Sequence, residues 1–273
     1  MKHKATRRGK TLAQRADKYV CYQNSVQEPE VDVPFVERVF RKHRGRPPRR
    51  LREDFCGTAA FACAWVQRHR DNVAFGIDLD AEPLDWGRRH NLTALSPEQQ
   101  SRVKLIEGNV LHVGHERVDV TVAYNFSYSL FRTRPEMLEY FRAARASLDS
   151  GGLFFLDVYG GPEAQETKIE KRKCEGFTYI WEQHRFDPIQ NHGVNYIHYA
   201  FPDGSELRRA FAYEWRIWSV PELREILLDA GFSKTEVYWE GTDRQTGKAN
   251  DVFTRRERAS DDPAWVAYIV AIP

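Results

Sequence analysis

The chain has 273 residues, 41% hydrophobic, 13% aromatic and 29% charged, a mixture too rich in core-forming side chains for a disordered protein. That length fits one α/β domain carrying an insertion as well as it fits two domains. Forty-one Lys and Arg against thirty-nine Asp and Glu leave +2, too near balance to indicate a polyanionic partner by itself.

The longest apolar runs, 59–66 and 265–273, are well short of the ~20 residues of a spanning helix, and the charged N-terminus lacks the apolar core of a secretion signal. No membrane span and no secreted product are expected. Positive charge gathers early: residues 2–15 carry six Lys or Arg, and residues 41–52 carry seven without one acid. These stretches read either as solvated arms or as an anion or nucleic-acid footprint. Between them Val33, Val36 and Phe40 recur at helical spacing behind Asp32 and Pro34, predicting a helix to about His43 that Gly45-Arg-Pro-Pro48 ends.

From there short apolar runs at 73–77, 103–106, 118–124 and 153–158 read as strands, and the amphipathic stretches 59–69, 83–90 and 135–148 read as helices. Strict alternation implies right-handed crossovers and a parallel sheet covered on both faces. The pattern breaks at 160–218, where aromatic and β-branched runs at 178–183, 193–199 and 209–215 are separated by turn signals without helices. This is an antiparallel meander. A helix at 221–230, stopped by Gly231, and strands near 235–239 and 265–272 complete the chain. The expected architecture is α/β: a doubly wound, mainly parallel seven-stranded sheet (49–159 and 219–273), a helical N-terminal cap with a basic arm (1–48), and an antiparallel insert (160–218).

The four cysteines, Cys21, Cys56, Cys63 and Cys174, show no CxxC pair and no metal-ligand spacing, so no metal site is expected and a reducing cytoplasm suits them. Cys56 and Cys63, near or on the first helix of the sheet domain, read as small packing residues.

The chemistry concentrates in Leu51-Arg-Glu-Asp-Phe-Cys-Gly-Thr-Ala59, an extended stretch turning through Gly57 into a helix, and in Gly76-Ile-Asp-Leu-Asp80 at the end of the next strand. A small residue at the turn admits a ligand to the backbone, and a carboxylate at the second strand's tip can take both ribose hydroxyls of a nucleoside. A pyrophosphate loop needs G-x-G-x-x-G, and two of its glycines are missing here, which disfavours NAD.

These residues resemble the first motif of the class I S-adenosylmethionine-dependent methyltransferases, roughly hydrophobic-Leu-Asp-x-Gly-Cys-Gly-Thr-Gly. Aligned on Cys56-Gly57-Thr58, the motif's acid falls on Glu53, while Phe55 and Ala59 stand where the family has glycine. Either Glu53 or Asp54 would face the methionine end of the cofactor, and Glu53 is preferred. Asp78 matches the ribose-binding acid, followed by Leu79. Glu107-Gly-Asn-Val110 resembles the stretch that meets adenine, with Asn109 in place of the usual acid. Val118 to Tyr124 with Asn125-Phe-Ser-Tyr128 resembles the fourth strand and its loop, and Leu148-Asp-Ser-Gly-Gly-Leu153 resembles the turn before the fifth.

The resemblance implies S-adenosyl-L-methionine as cofactor, bound by Glu53, Cys56, Gly57, Asp78, Leu79, Asn109, Val110 and Asn125. Tyr22, Asn125 and Tyr128 are the substrate-side candidates, and Tyr19 could face the sulfonium. The insert resembles the lid of glycine and aminosugar N-methyltransferases, with Trp181, His184, Tyr196 and Arg216 as candidate wall residues, and the segment 19–23 would fold across the cofactor. The expected activity is methyl transfer to nitrogen or oxygen of a small molecule. An RNA acceptor held by the basic stretches and a non-catalytic cofactor-binding module are the competing readings, and the oligomeric state is left open.

Overall fold

The computed structural model describes residues 9–112, 116–243 and 249–273; the start of the first basic stretch lies outside them. Three N-terminal helices, α1 (Leu12–Arg15), α2 (Lys18–Val26) and α3 (Pro29–Arg44), lead into β1 (Arg50–Asp54). Then come α4 (Ala60–Arg68), β2 (Val73–Asp78), α5 (Ala81–Gly87), α6 (Pro97–Gln100), β3 (Val103–Glu107), β4 (Val118–Ala123), α7 (Arg134–Ala146) and β5 (Leu148–Gly160). An antiparallel run follows, β6 (Lys168–Cys174), β7 (Phe177–Asp187), β8 (His192–Ala200) and β9 (Glu206–Arg216), and the chain closes with α8 (Val220–Asp229), β10 (Lys234–Thr242), β11 (Ala249–Arg256) and β12 (Trp265–Ile272).

The main sheet has the order β11-β10-β12-β5-β4-β1-β2-β3. Its first five strands in the sequence pair in parallel, β12 runs antiparallel between β5 and β10, and β11 returns along β10. The strand order reverses between β1 and β4, which opens a crevice at their carboxyl ends. Apolar side chains fill both faces. Helices α3 and α4 cover one with Val36, Phe40, Phe61 and Trp65. Helices α7 and α8 cover the other with Met137, Phe141, Leu223 and Ile226. Burying each such side chain contributes roughly 1.5–3 kcal/mol.

Several boundaries differ from those read in the sequence, each for a local reason. Helix α3 begins at Pro29 rather than near Asp32, because a proline is preorganised for the first helical position and leaves no N–H unpaired there. The sheet holds eight strands, one more than expected: β11 alternates charged and apolar residues so weakly that only Phe253 is buried. The insert has a fourth strand, β6, whose Lys-Ile-Glu-Lys-Arg-Lys-Cys sequence reads as polar loop and is an exposed sheet edge. The Leu148–Leu153 turn is taken up inside β5, where Val118 faces Leu148 but Val120 already faces Leu153.

Most of the second basic stretch is engaged within the fold. Arg46 reaches Asp119 at 2.6 Å, Arg49 the Asn72 side chain at 3.0 Å, Arg50 Glu116 at 3.1 Å and Arg44 the Gly151 carbonyl at 2.7 Å. Asp119 and the start of β1 lie at the amino ends of the strands, opposite the crevice. No helix among the described residues is long and apolar enough to cross a membrane.

Candidate functional site

Register places the loops after β1, β2, β3 and β4 at one end of the sheet, since Glu53 is beside Gly76 and Val122, and Asp78 beside Glu107. The loop after β1 has an unusual backbone. Phe55, Gly57 and Ala59 have φ of 58°, 54° and 58°. These alternate left-handed residues occupy the three positions at which the resembling motif carries glycine. A non-glycine residue there costs roughly 1–2 kcal/mol. Packing offsets it: the Phe55 ring lies 5.4 Å from Tyr140 and 6.1 Å from Phe131, and Ala59 is fully buried.

Asp78, at the tip of β2, braces this loop. One carboxylate oxygen accepts from the Gly57 N–H at 2.7 Å and the other from the Asp80 N–H at 2.9 Å. Burial raises its pKa despite these bonds. A methyl added at Gly57 would meet no atom within 4 Å, so the loop presents open backbone. Next to Asp78, Leu79 is 72% exposed, an apolar surface beside a carboxylate at the mouth of the crevice. Behind the loop Gly87 is obligatory, because a Cβ there would lie 2.4 Å from the Thr58 carbonyl. That carbonyl also accepts from Asn91 at 2.8 Å, and the Thr58 hydroxyl accepts from Gln23 of α2 at 2.7 Å.

Alternation along β1 separates its two acids. Glu53 accepts from the Ala62 N–H in the first turn of α4, and burial pushes its carboxyl up to about 8. Asp54 points to the other face, where Arg52 (2.6 Å) and the Tyr140 hydroxyl (3.0 Å) engage it. Glu53 thus bonds the helix that follows the motif loop, and Asp54 the tyrosine on which Phe55 of that loop packs. The Cys56 side chain turns inward against Gly76, leaving only its main chain at the loop. Asn109 spends its side-chain oxygen on the Leu111 N–H at 2.9 Å, and Val110 is buried with its carbonyl on Arg52.

After β4, Asn125 and Phe126 are again left-handed, with φ of 57° and 56°, and the Phe126 N–H donates to Asp157 at 3.0 Å. Tyr128 is not brought to the site: it is 1% exposed and its hydroxyl donates to the Asp157 carbonyl. Asn125 and Tyr22 do line a cavity of about 520 Å³ between the sheet end and the insert. Helix α2 bridges the two, holding Trp86 of α5 through Asp17 at 2.6 Å and packing Tyr22 against Phe211 of β9 at 4.8 Å. Tyr19 packs on Trp86 and Phe211 instead of entering the cavity.

The insert presents one face of its strands to this chamber. Trp181 lines it with Tyr213 and Trp215, whose rings are 4.5 Å apart. His184 and Tyr196 pair with each other on the opposite face, and Arg216 stacks over Trp218 at 3.7 Å, so these three expected wall residues lie elsewhere. Residues that no short motif signals complete the wall: Asp32, Tyr124, Asp157, Glu240 and Tyr268.

Burial pushes the Asp32 carboxyl up to about 7 and the Asp157 carboxyl well above the usual range. Among the described residues Lys168 is the one basic residue on this wall, and Glu163 and Glu170 hold it at 2.6 and 2.5 Å. The Tyr124 hydroxyl, buried in the same wall, has no hydrogen-bond partner among the described residues.

Solved structures share this whole architecture. A S-adenosylmethionine-dependent methyltransferase from Clostridium acetobutylicum superposes with a TM-score of 0.67 at 14% identity, covering 93% of this chain and 97% of its own. The sugar N-methyltransferase KedS8 from Streptoalloteichus gives 0.64 at 16%, over 100% and 98% of the two chains. The amino pentose methyltransferase CalS10 from Micromonospora echinaspora gives 0.63 at 18%, over 92% and 95%. This is the class I methyltransferase fold. No protein-family model and no curated protein sequence matches the chain. Within the methyltransferase fold, the left-handed loop, Asp78 and the acidic chamber all lie at the carboxyl end of the parallel strands, where open α/β sheets take ligands.

Proposed function

We propose that the protein is an S-adenosylmethionine-dependent methyltransferase whose acceptor is a small-molecule amine. The observation that carries the reading is the loop of residues 55, 57 and 59, which keeps the backbone of a nucleoside cradle and is braced on Asp78. Asp78 would hold the ribose hydroxyls, Leu79 would lie along the adenine, and the open backbone at Gly57 would face the methionine portion. The cofactor supplies an electrophilic methyl group on a cationic sulfur.

The chain's own groups bind and orient the acceptor. Trp181, Tyr213 and Trp215 offer aromatic faces to a cation, each such contact worth about 0.5–2 kcal/mol. An ammonium would favour the ionised forms of Asp32 and Asp157, which burial alone disfavours, and the insert covers one side of the chamber. An ammonium must lose a proton before it can attack, and a carboxyl that titrates near 7 is poised to take it at neutral pH. An alcohol would leave these acids uncompensated. The basic run near β1, already engaged at the far end of the sheet, gives no support to an RNA acceptor.

Isothermal titration with S-adenosylmethionine tests the reading, with saturable binding expected and no heat from folded protein rejecting it. Gly57→Ala adds a sharper test. Its cost to the fold is expected near 1 kcal/mol, the left-handed penalty alone, because the methyl meets nothing. Cofactor affinity is expected to fall at least ~10-fold, since about 1.4 kcal/mol of obstruction suffices. Equal affinities for the variant and parent would remove Gly57 from the cradle.

A further inference from the structure

A second cavity, of about 470 Å³, lies behind the chamber and has the opposite character. Tyr159, Gly160 and Trp265 belong to both walls, so the end of β5 and the start of β12 stand between the two spaces. On the chamber side the described charged residues are acids and one lysine held by two of them; on this side Arg224, Arg256 and Arg258 line the space. Among the described residues, none of these three arginines has a carboxylate within ion-pair distance. Glu257, the acid on this wall, is bonded to Arg255 at 2.7 Å. Arg224 has only its Nε committed, to the Thr235 hydroxyl at 2.9 Å.

One wall of the cavity is aromatic. Trp239 and Trp265 both line it, half-buried, with ring centroids 4.7 Å apart and ring planes tilted by 39°. Three arginines that have no ion-pair partner among the described residues share a wall with a pair of indoles, a combination that matches an anion attached to a planar ring. The guanidinium fork suits phosphate oxygens and the indoles suit a stacked ring. A free inorganic anion would use only half of the site, and an uncharged ring would leave the arginines idle. A volume of this size accommodates a ring and one phosphate.

We propose that this cavity is a ligand site for an organic phosphate bearing an aromatic ring. The site stands on its own geometry, apart from the methyl-transfer reading. Phenyl phosphate is the probe, titrated into the full-length protein with tryptophan fluorescence and calorimetry as readouts, and inorganic phosphate is the comparison. Saturable phenyl phosphate binding is expected, at least tenfold tighter than inorganic phosphate. The double substitution R256Q and R258Q is expected to weaken it at least tenfold while leaving S-adenosylmethionine binding unchanged. Trp239→Leu is expected to reduce the preference for phenyl over inorganic phosphate.

Three results would overturn the proposal: absence of saturable binding, equal affinity for the two phosphates, or full affinity in the arginine variant. Cofactor titration of the same samples separates this failure from failure of the methyltransferase reading.

Discussion

Asp78→Ala is expected to reduce affinity for S-adenosylmethionine by at least ~100-fold, the loss of two charge-assisted hydrogen bonds of about 1.5 kcal/mol or more each. The carboxylate has two tasks in the structure. It ties the Gly57 and Asp80 N–H groups together across two loops, and it stands at the strand tip where a nucleoside's hydroxyls would arrive. Asp78→Asn separates them, because the amide can retain one acceptor for the loop yet gives a ribose a weaker partner. Calorimetry on both variants, with melting curves beside it, reads the difference. If alanine leaves the affinity intact while the protein remains folded, the nucleoside assignment fails.

The second expected result concerns stability, and its sign is opposite to that of most core substitutions. In the fold Asp32 titrates at about 7, against roughly 3.9 for an exposed aspartate. The folded chain therefore holds this proton more tightly than the unfolded chain does. The associated stability is complete below pH ~4, declines as pH rises, and is gone once pH passes about 7. A difference of about 3 on the pH scale corresponds to at most ~4 kcal/mol. Asp32→Asn keeps the shape and still accepts from the Tyr268 hydroxyl, but it carries no charge to desolvate. Urea denaturation is expected to find the variant about 2–4 kcal/mol more stable than the parent at pH 8 and close to it at pH 4. An equal difference at both values would mean that burial of the charge is not the cause. A chamber acid that weakens the empty protein is consistent with a residue retained for its ligand.

Much of the fold could be read from the sequence because the signals are local. The alternation of apolar runs with amphipathic stretches sets the parallel sheet, and the switch at Gly160 to aromatic runs without helices sets the insert. Strands β6 and β11 escaped because both are edges, and an edge needs few buried side chains to be held by its neighbour's backbone. At the site, the residues that form the first loop and the tip of β2 were legible because they are consecutive in the chain. Tyr128 was misplaced because a motif position fixes the loop but not the direction of a side chain beyond it. Asp32, Tyr124 and Glu240 converge from α3, β4 and β10, and no spacing rule connects elements so distant in the chain. His184 and Tyr196 were lost to strand alternation, since each is next in the chain to a residue that faces the chamber, Gln183 on β7 and Ile197 on β8.

The left-handed residues at 55 and 59 also tie the loop to the packing around it. A glycine at 55 would relax the main chain but leave a hole beneath α7, where the Phe55 ring lies against Phe131 and Tyr140. Side-chain packing thus keeps torsions that a glycine-based signature does not find.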